Sequence, residues 1–306
     1  MKARFMVGVY GTFCPHQLEN VLRPYFAGLE VSWLSSTQQA GAAAAYAAQR
    51  GLTLGIHFPL VRTTSGRHPR LTSPDPGERD AALAAVGVAL REATGLGASY
   101  LVVHFPKPAL LKGGLDWSDW RFTQEDEATS AEGVRWEAQA GLASQVFSGL
   151  DRMSQATGIR VVVEHDILHP EYYRRLLPWV LAAYPGVGFC VDTGRLHLLE
   201  VTDPGFSATE FLVQVKKHVT NVHLWTVRAG TNVASGGHHP LLPRLDRAPG
   251  WGDMGSYLRI LASVPEAYVV FEHDPGLVTP EELDQCYDWV RRSLVPSRTQ
   301  TEHPGS

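Results

Sequence analysis

The chain has 306 residues, 44% hydrophobic and 19% charged, with a formal net charge of −4 and a pI near 6.3. That is enough apolar material for a full core, and it excludes wholesale disorder. The near-neutral balance gives no electrostatic footprint for nucleic acid. The three cysteines, Cys14, Cys190 and Cys286, are too scattered for a disulfide framework or a cysteine zinc site and fit a reducing cytoplasm. No apolar run approaches the length of a membrane span, and Met1 to Arg4 lead into Phe5 without a signal-peptide pattern. A cytoplasmic protein with no membrane partner is expected.

Short apolar runs alternate with helical patterns along the chain, the signature of βα units and a parallel sheet. Strands are predicted near 5–11, 28–34, 53–59, 99–105, 160–165, 187–193, 219–225 and 267–273. Helices are predicted near 38–50, 76–95, 131–156, 171–184, 207–217, 254–263 and 279–293. The second helix opens Ser73-Pro74-Asp75-Pro76-Gly77-Glu78, with proline where a first turn tolerates it and acid near the positive end. Eight repeats in one chain without a linker point to the α/β class and a single (β/α)8 TIM barrel over 1–296. Residues 297–306 read as a disordered tail. Two long connections, 106–130 and 226–252, follow strands and are expected on the catalytic face as binding loops.

Two strands end almost identically, in Val161-Val162-Val163-Glu164-His165-Asp166 and Val269-Val270-Phe271-Glu272-His273-Asp274. From the third strand onward the predicted ends are His57, His104, Glu164, Asp192, His223 and Glu272, each able to ligate a metal. Three carboxylates with His223 make an oxygen-rich set suited to Mn2+, Mg2+ or Co2+. If His57 and His104 bind as well, through a bridging Glu164, the added nitrogens favour Zn2+ and two ions. Both these histidines open a His-Phe-Pro triplet, which equally suits a substrate contact or a structural role.

Val163-Glu164, Val191-Asp192-Thr193-Gly194, Val222-His223-Leu224 and Phe271-Glu272 resemble the xylose-isomerase-like barrels, which include sugar isomerases, epimerases and abasic-site endonucleases. The resemblance implies a divalent metal held by Glu164, Asp192, His223 and Glu272, with Glu164 and Glu272 also moving protons. It sets Arg228 near a substrate-binding arginine of ketose epimerases and likens Gly250-Trp251-Gly252-Asp253 to a glycine turn of those proteins. One departure stands out, because the family's histidine three residues after the aspartate is replaced here by Arg195, with a histidine only at His197. Arginine cannot ligate a metal, so a three-zinc site is incomplete; its planar fork suits a carboxylate or phosphate instead.

The expected activity is therefore isomerisation or epimerisation of a sugar or sugar acid, by proton transfer through a metal-stabilised enediolate with Glu164 and Glu272 as acid and base. His57, His104, Arg195, His197, Arg228, His239 and Trp251 are the expected contacts to a carbohydrate-like substrate. Trp117, Trp120, Trp225 and Trp251 are candidates for walling off water and stacking on a sugar ring or base. A zinc-dependent phosphodiester hydrolase is the alternative, a lyase using the same enediolate stays open, and a barrel binding without turnover is the least supported. Homo-oligomerisation is left open by the sequence.

Overall fold

The computed structural model describes residues 2–62, 68–120, 125–230 and 237–295. Eight parallel strands close into a barrel: β1 (Lys2–Tyr10), β2 (Gly28–Ser32), β3 (Thr53–His57), β4 (Tyr100–Phe105), β7 (Arg160–His165), β8 (Gly188–Asp192), β9 (Val219–Leu224) and β10 (Glu266–Phe271). β10 pairs with β1 to complete the ring. Two further short strands, β5 (Ala109–Leu111) and β6 (Ala128–Ser130), pair with each other inside the long connection after β4. The chain is a single (β/α)8 barrel, as expected from the alternation of its apolar runs.

The outer layer comprises α1 (Pro15–Val21), α2 (Thr37–Gln49), α3 (Pro76–Gly95), α4 (Trp136–Thr157), α5 (Leu177–Ala183), α6 (Thr193–Thr202), α7 (Ala208–Val215), α8 (Met254–Leu261) and α9 (Pro280–Leu294). Local chemistry starts several of them. Ser36 caps α2 through the amide of Gln39, Asp75 caps α3 through Gly77, and Thr279 with Glu282 forms a capping box on α9. Three helices differ from expectation. α1 is too short to show a period, and α6 begins immediately on Asp192, where the sequence reads as a turn. The 171–184 helix is split into a π-helical turn, Tyr172–Leu176, followed by α5. The predicted tail, 297–306, lies outside the described residues.

The main core lies between barrel and helices, whereas the barrel interior is a smaller plug of Met6, Tyr100, Val102, Val162, Cys190 and Val270. Tyr100 fills that plug only because β3 carries Gly55 beneath it. A Cβ at Gly55 would lie 2.3 Å from the Tyr100 ring. Substituting Gly55→Ala should therefore cost about 1–3 kcal/mol of stability through overpacking. By contrast Gly41→Ala, exposed in α2 with open space around it, should stabilise by roughly 0.5–1 kcal/mol. Urea unfolding of both variants checks this; equal midpoints would remove the steric argument.

Candidate active site

The register brings the site together. His104 stands opposite Glu164 across β4 and β7, and Asp192 stands opposite His223 across β8 and β9. All four expected metal ligands are buried at the C-terminal mouth, with Glu164 and Asp192 at 1%, His223 at 0% and Glu272 at 8% exposure. His223 is the meeting point. Its Nδ1 lies 2.8 Å from Glu272 Oε2 and 3.3 Å from Glu164 Oε2. One potential ligand atom from each of Asp192, His223 and Glu272 falls within 4.8 Å of the others, and so do those of His57, Glu164 and His223.

Each member is aimed by neighbours. Glu30, fully buried in β2, places Oε1 3.0 Å from His223 Nε2, and the Tyr100 hydroxyl donates to its other oxygen at 2.8 Å. Gly55 thus makes room for Tyr100, Tyr100 holds Glu30, and Glu30 fixes the imidazole so that Nδ1 faces the mouth, an outer-shell role common around metal-binding histidines. Asp192 Oδ1 caps α6 by accepting from the Arg195 amide at 2.8 Å, and Oδ2 accepts from Trp225 Nε1 at 2.8 Å. Gly194 permits that contact, since a Cβ there would lie 2.3 Å from the indole. Thr193 Oγ1 donates to the Trp225 carbonyl at 2.8 Å and ties β8 to the end of β9. The Asp-Thr-Gly turn therefore has one task per residue.

Beside this set lies a second one. His57 Nε2 is 2.8 Å from Glu164 Oε2, while His57 Nδ1 donates to the Phe58 carbonyl at 2.9 Å. His104 Nε2 is 3.3 Å from His57 Nε2 and 3.5 Å from Glu164 Oε2, with its Nδ1 facing Asp166 Oδ2 at 3.4 Å. Asp166 also receives Lys107 at 2.7 Å and Arg195 at 3.0 Å. Arg195 Nε reaches Glu164 Oε1 at 3.2 Å, so its guanidinium leans on the site's own carboxylates.

Electrostatics follow from this crowding. Burial would raise the Glu164 carboxyl, but His104 and His223 hold it well below the ordinary value. Glu272 is likewise held low against burial by His223. Asp192 goes the other way, pushed up by burial and by Glu164. Several buried anions thus compete for too little positive charge. His223 Nδ1 and Glu272 Oε2 are among the buried atoms lacking a hydrogen bond of acceptable geometry, although they lie 2.8 Å apart. Lone pairs aimed at one place with no proton well placed between them are what a divalent cation fits.

The site opens into a cavity of about 1000 Å3 whose wall includes His57, His104, Arg195 and Glu272. Four expected substrate contacts stand elsewhere. His197 Nε2 meets the Gly250 carbonyl at 3.1 Å, Arg228 is exposed beside Gly250, and His239 packs edge-on against Trp251. These residues bond or pack against the described part of the 226–252 connection instead of facing the cavity. Its neighbour His238 does face the cavity, stacked on Trp225 at 3.8 Å and bonded to the Glu272 carbonyl. Trp120 and Trp225 also line the wall, whereas Trp117 packs against Trp120.

Reading only strand ends misses Glu30, Tyr10, Trp33, His68, Lys107 and the clamp role of Asp166. A usable signal existed for Glu30, because a carboxylate inside Gly28-Leu29-Glu30-Val31 interrupts a buried strand. Trp33 has φ of 54°, a left-handed conformation costing about 1–3 kcal/mol in a bulky residue, and sequence gives no sign of it. His68 stacks on His104 at 4.0 Å.

No protein-family model matches the chain, and no curated protein matches it in sequence. Solved structures do match in shape. A D-tagatose 3-epimerase-like protein is 13% identical, with a TM-score of 0.62 over 95% of this chain and 97% of that one. The chain shares its (β/α)8 barrel fold with that protein along nearly its whole length. A Thermus thermophilus protein soaked with ZnCl2 shares the fold at 18% identity and a TM-score of 0.59, over 97% and 100% of the two chains. The 3-keto-D-glucoside 4-epimerase of E. coli is 15% identical at a TM-score of 0.59, over 95% and 99%. At such identities the likeness is one of fold.

If Glu30 aims His223, then Glu30→Gln should weaken Mn2+ or Zn2+ binding roughly 10–100-fold while leaving the barrel folded. Metal titration followed by calorimetry, beside a circular dichroism spectrum, measures both. Unchanged affinity in a folded variant would show that Glu30 does not aim the imidazole.

Proposed function

We propose that the protein is a divalent-metal-dependent isomerase or epimerase of a sugar or sugar acid. The observation that carries the reading is that Glu164 and Glu272 meet Nδ1 of His223 at the barrel mouth, with Asp192 within ligating reach of His223 and Glu272. These four residues would hold the ion, with Mn2+, Co2+ or Mg2+ favoured by their oxygen-rich donor set. Such an ion supplies Lewis-acid polarisation of a carbonyl and its neighbouring hydroxyl. The chain's own residues supply the rest. Glu164 on β7 and Glu272 just past the end of β10 reach the same imidazole from different sides of the mouth, so one can take a proton next to the carbonyl while the other returns it. His223, fixed by Glu30, keeps both carboxylates in place, and Trp225 and His238 close the wall beside Glu272. The sugar epimerases among the structural neighbours support this reaction class. The three free thiols and the absence, among the described residues, of a helix able to cross a membrane fit a cytoplasmic location within the same reading.

A second reading, zinc-dependent phosphodiester hydrolysis, is favoured by one observation. His57 and His104 present nitrogens to Glu164, forming a second donor group that shares that carboxylate. Two clustered ions there would suit water activation. Arg195 in place of a histidine and the near-neutral charge count against it.

Elemental analysis of tag-free protein should find about one Mn, Co or Mg per chain, with less in Glu272→Gln. Two or more zincs per chain would move the assignment to hydrolysis, and no metal would remove both readings. In D2O, the enzyme should place deuterium next to the carbonyl of its ketose, and Glu272→Gln should slow this by about 10²–10⁴-fold.

A further inference from the structure

The barrel rim is divided. The four candidate ligands come from β7 to β10, and the opposite arc, from the end of β10 round to β4, carries rings: His273, Tyr10, Trp33, His57, His68 and His104 all line the cavity. We infer that this arc is a second subsite, and that the substrate is a neutral sugar bearing an additional ring-sized group, such as a glycosyl unit. The inference rests on the sugar isomerase or epimerase reading and deepens it.

Four observations carry it. First, about 1000 Å3 lies at the top of the range for drug-sized ligands, and a single hexose fills only a fraction of it. Second, Trp33 keeps a left-handed backbone immediately after β2, with its ring on the cavity wall 6.2 Å from that of His68. Strain held in a bulky residue at a cavity points to a use for the ring. Tyr10 is paired in register beside Ser32, the residue before Trp33; its ring folds over Gly8, its hydroxyl bonds Glu272, and the residue is 40% exposed. Aromatic faces left open in a cleft suit the C–H face of a sugar. Third, His273 is 7% exposed on the cavity wall, its ring packed against Phe271 and Tyr287, so it adds shape to this arc without adding charge. Fourth, the two partly or fully buried cations on the wall are engaged. Lys107 faces Asp166 and Glu127, and Arg195 faces Asp166 and Glu164. Arg62 lines the wall but is solvent-exposed, where an ion pair contributes little. A phosphate or carboxylate meeting Lys107 or Arg195 would have to break these pairs, so the buried part of the wall favours a neutral ligand. The expectation that Arg195 grips an anion gives way to one in which it clamps the site's own carboxylates.

The test uses the metal-loaded full chain and four probes: fructose, lactulose as a ketose carrying a second ring, fructose 6-phosphate and 5-ketogluconate. Calorimetric affinity is measured for wild type, Trp33→Ala and Trp33→Phe, with metal content determined on each sample. Lactulose should bind at least about tenfold more tightly than fructose, Trp33→Ala should remove that advantage without changing fructose affinity or metal content, and Trp33→Phe should restore most of it. Equal affinity for fructose and lactulose, or preference for either anionic probe, would overturn the inference while leaving the sugar-enzyme reading intact. Should metal-loaded protein bind none of the four, the parent reading fails and takes this inference with it.

Discussion

Everything at the mouth of this barrel depends on one buried imidazole. His223 has carboxylates facing both ring nitrogens, Glu30 from the barrel interior and Glu272 with Glu164 from the mouth. A buried anion is costly unless compensated, and a cluster of them cannot all be compensated by one shared ring. The arrangement is stable in proportion to the positive charge placed among the carboxylates. Arg195 and Lys107 supply part of it on the Asp166 side. The remaining deficit lies between Glu164, Asp192 and Glu272, which is why the same geometry that strains folding electrostatics makes a candidate cation site.

That constraint explains features that otherwise look unrelated. Gly55 has no side chain because Tyr100 must lie over it to reach Glu30, and Gly194 has none because Trp225 must reach Asp192. Trp225 in turn provides the surface on which His238 stacks, and His238 holds the carbonyl of Glu272. Loss of one contact would therefore propagate along a packed chain of aromatic rings and carboxylates and reach the others. The positions of the glycines are consequences of where the imidazole must point.

How much of this was legible in the sequence depends on the range of the interaction. Strand ends are local, so the run of valines before Glu164 and the similar run before Glu272 place both carboxylates at the mouth, and the closed barrel follows from the repeat of such runs. Glu30 belongs to a different class. Its role depends on a pairing of β2 with the plug residue Tyr100, across seventy positions of chain, and only its oddity inside an apolar strand marks it. The misplacement of His197, His239 and Trp251 has the opposite cause. Proximity in sequence to Asp192 or His223 suggests the cavity, but α6 turns His197 toward Gly250, and the loop after β9 packs His239 on Trp251. Within a helix or a long loop, neighbouring positions face different ways, and a resemblance based on spacing does not resolve which.

The division of the rim suggests how such a barrel separates chemistry from selection. Candidate ligands on β7 to β10 are each pinned by two or more fixed contacts, so that half tolerates little change. On the arc from β1 to β4, Tyr10 and Trp33 line the cavity, with Tyr10 40% exposed, while His68 stacks on His104 at 4.0 Å. A reaction centre requires preorganised groups, whereas a binding wall requires only shape and a few polar atoms. One half of the ring can then change with the substrate without disturbing the charges that the other half holds in balance. The strained backbone at Trp33 marks where that freedom is limited, since it fixes one aromatic face against the cavity regardless of what fills the remaining space.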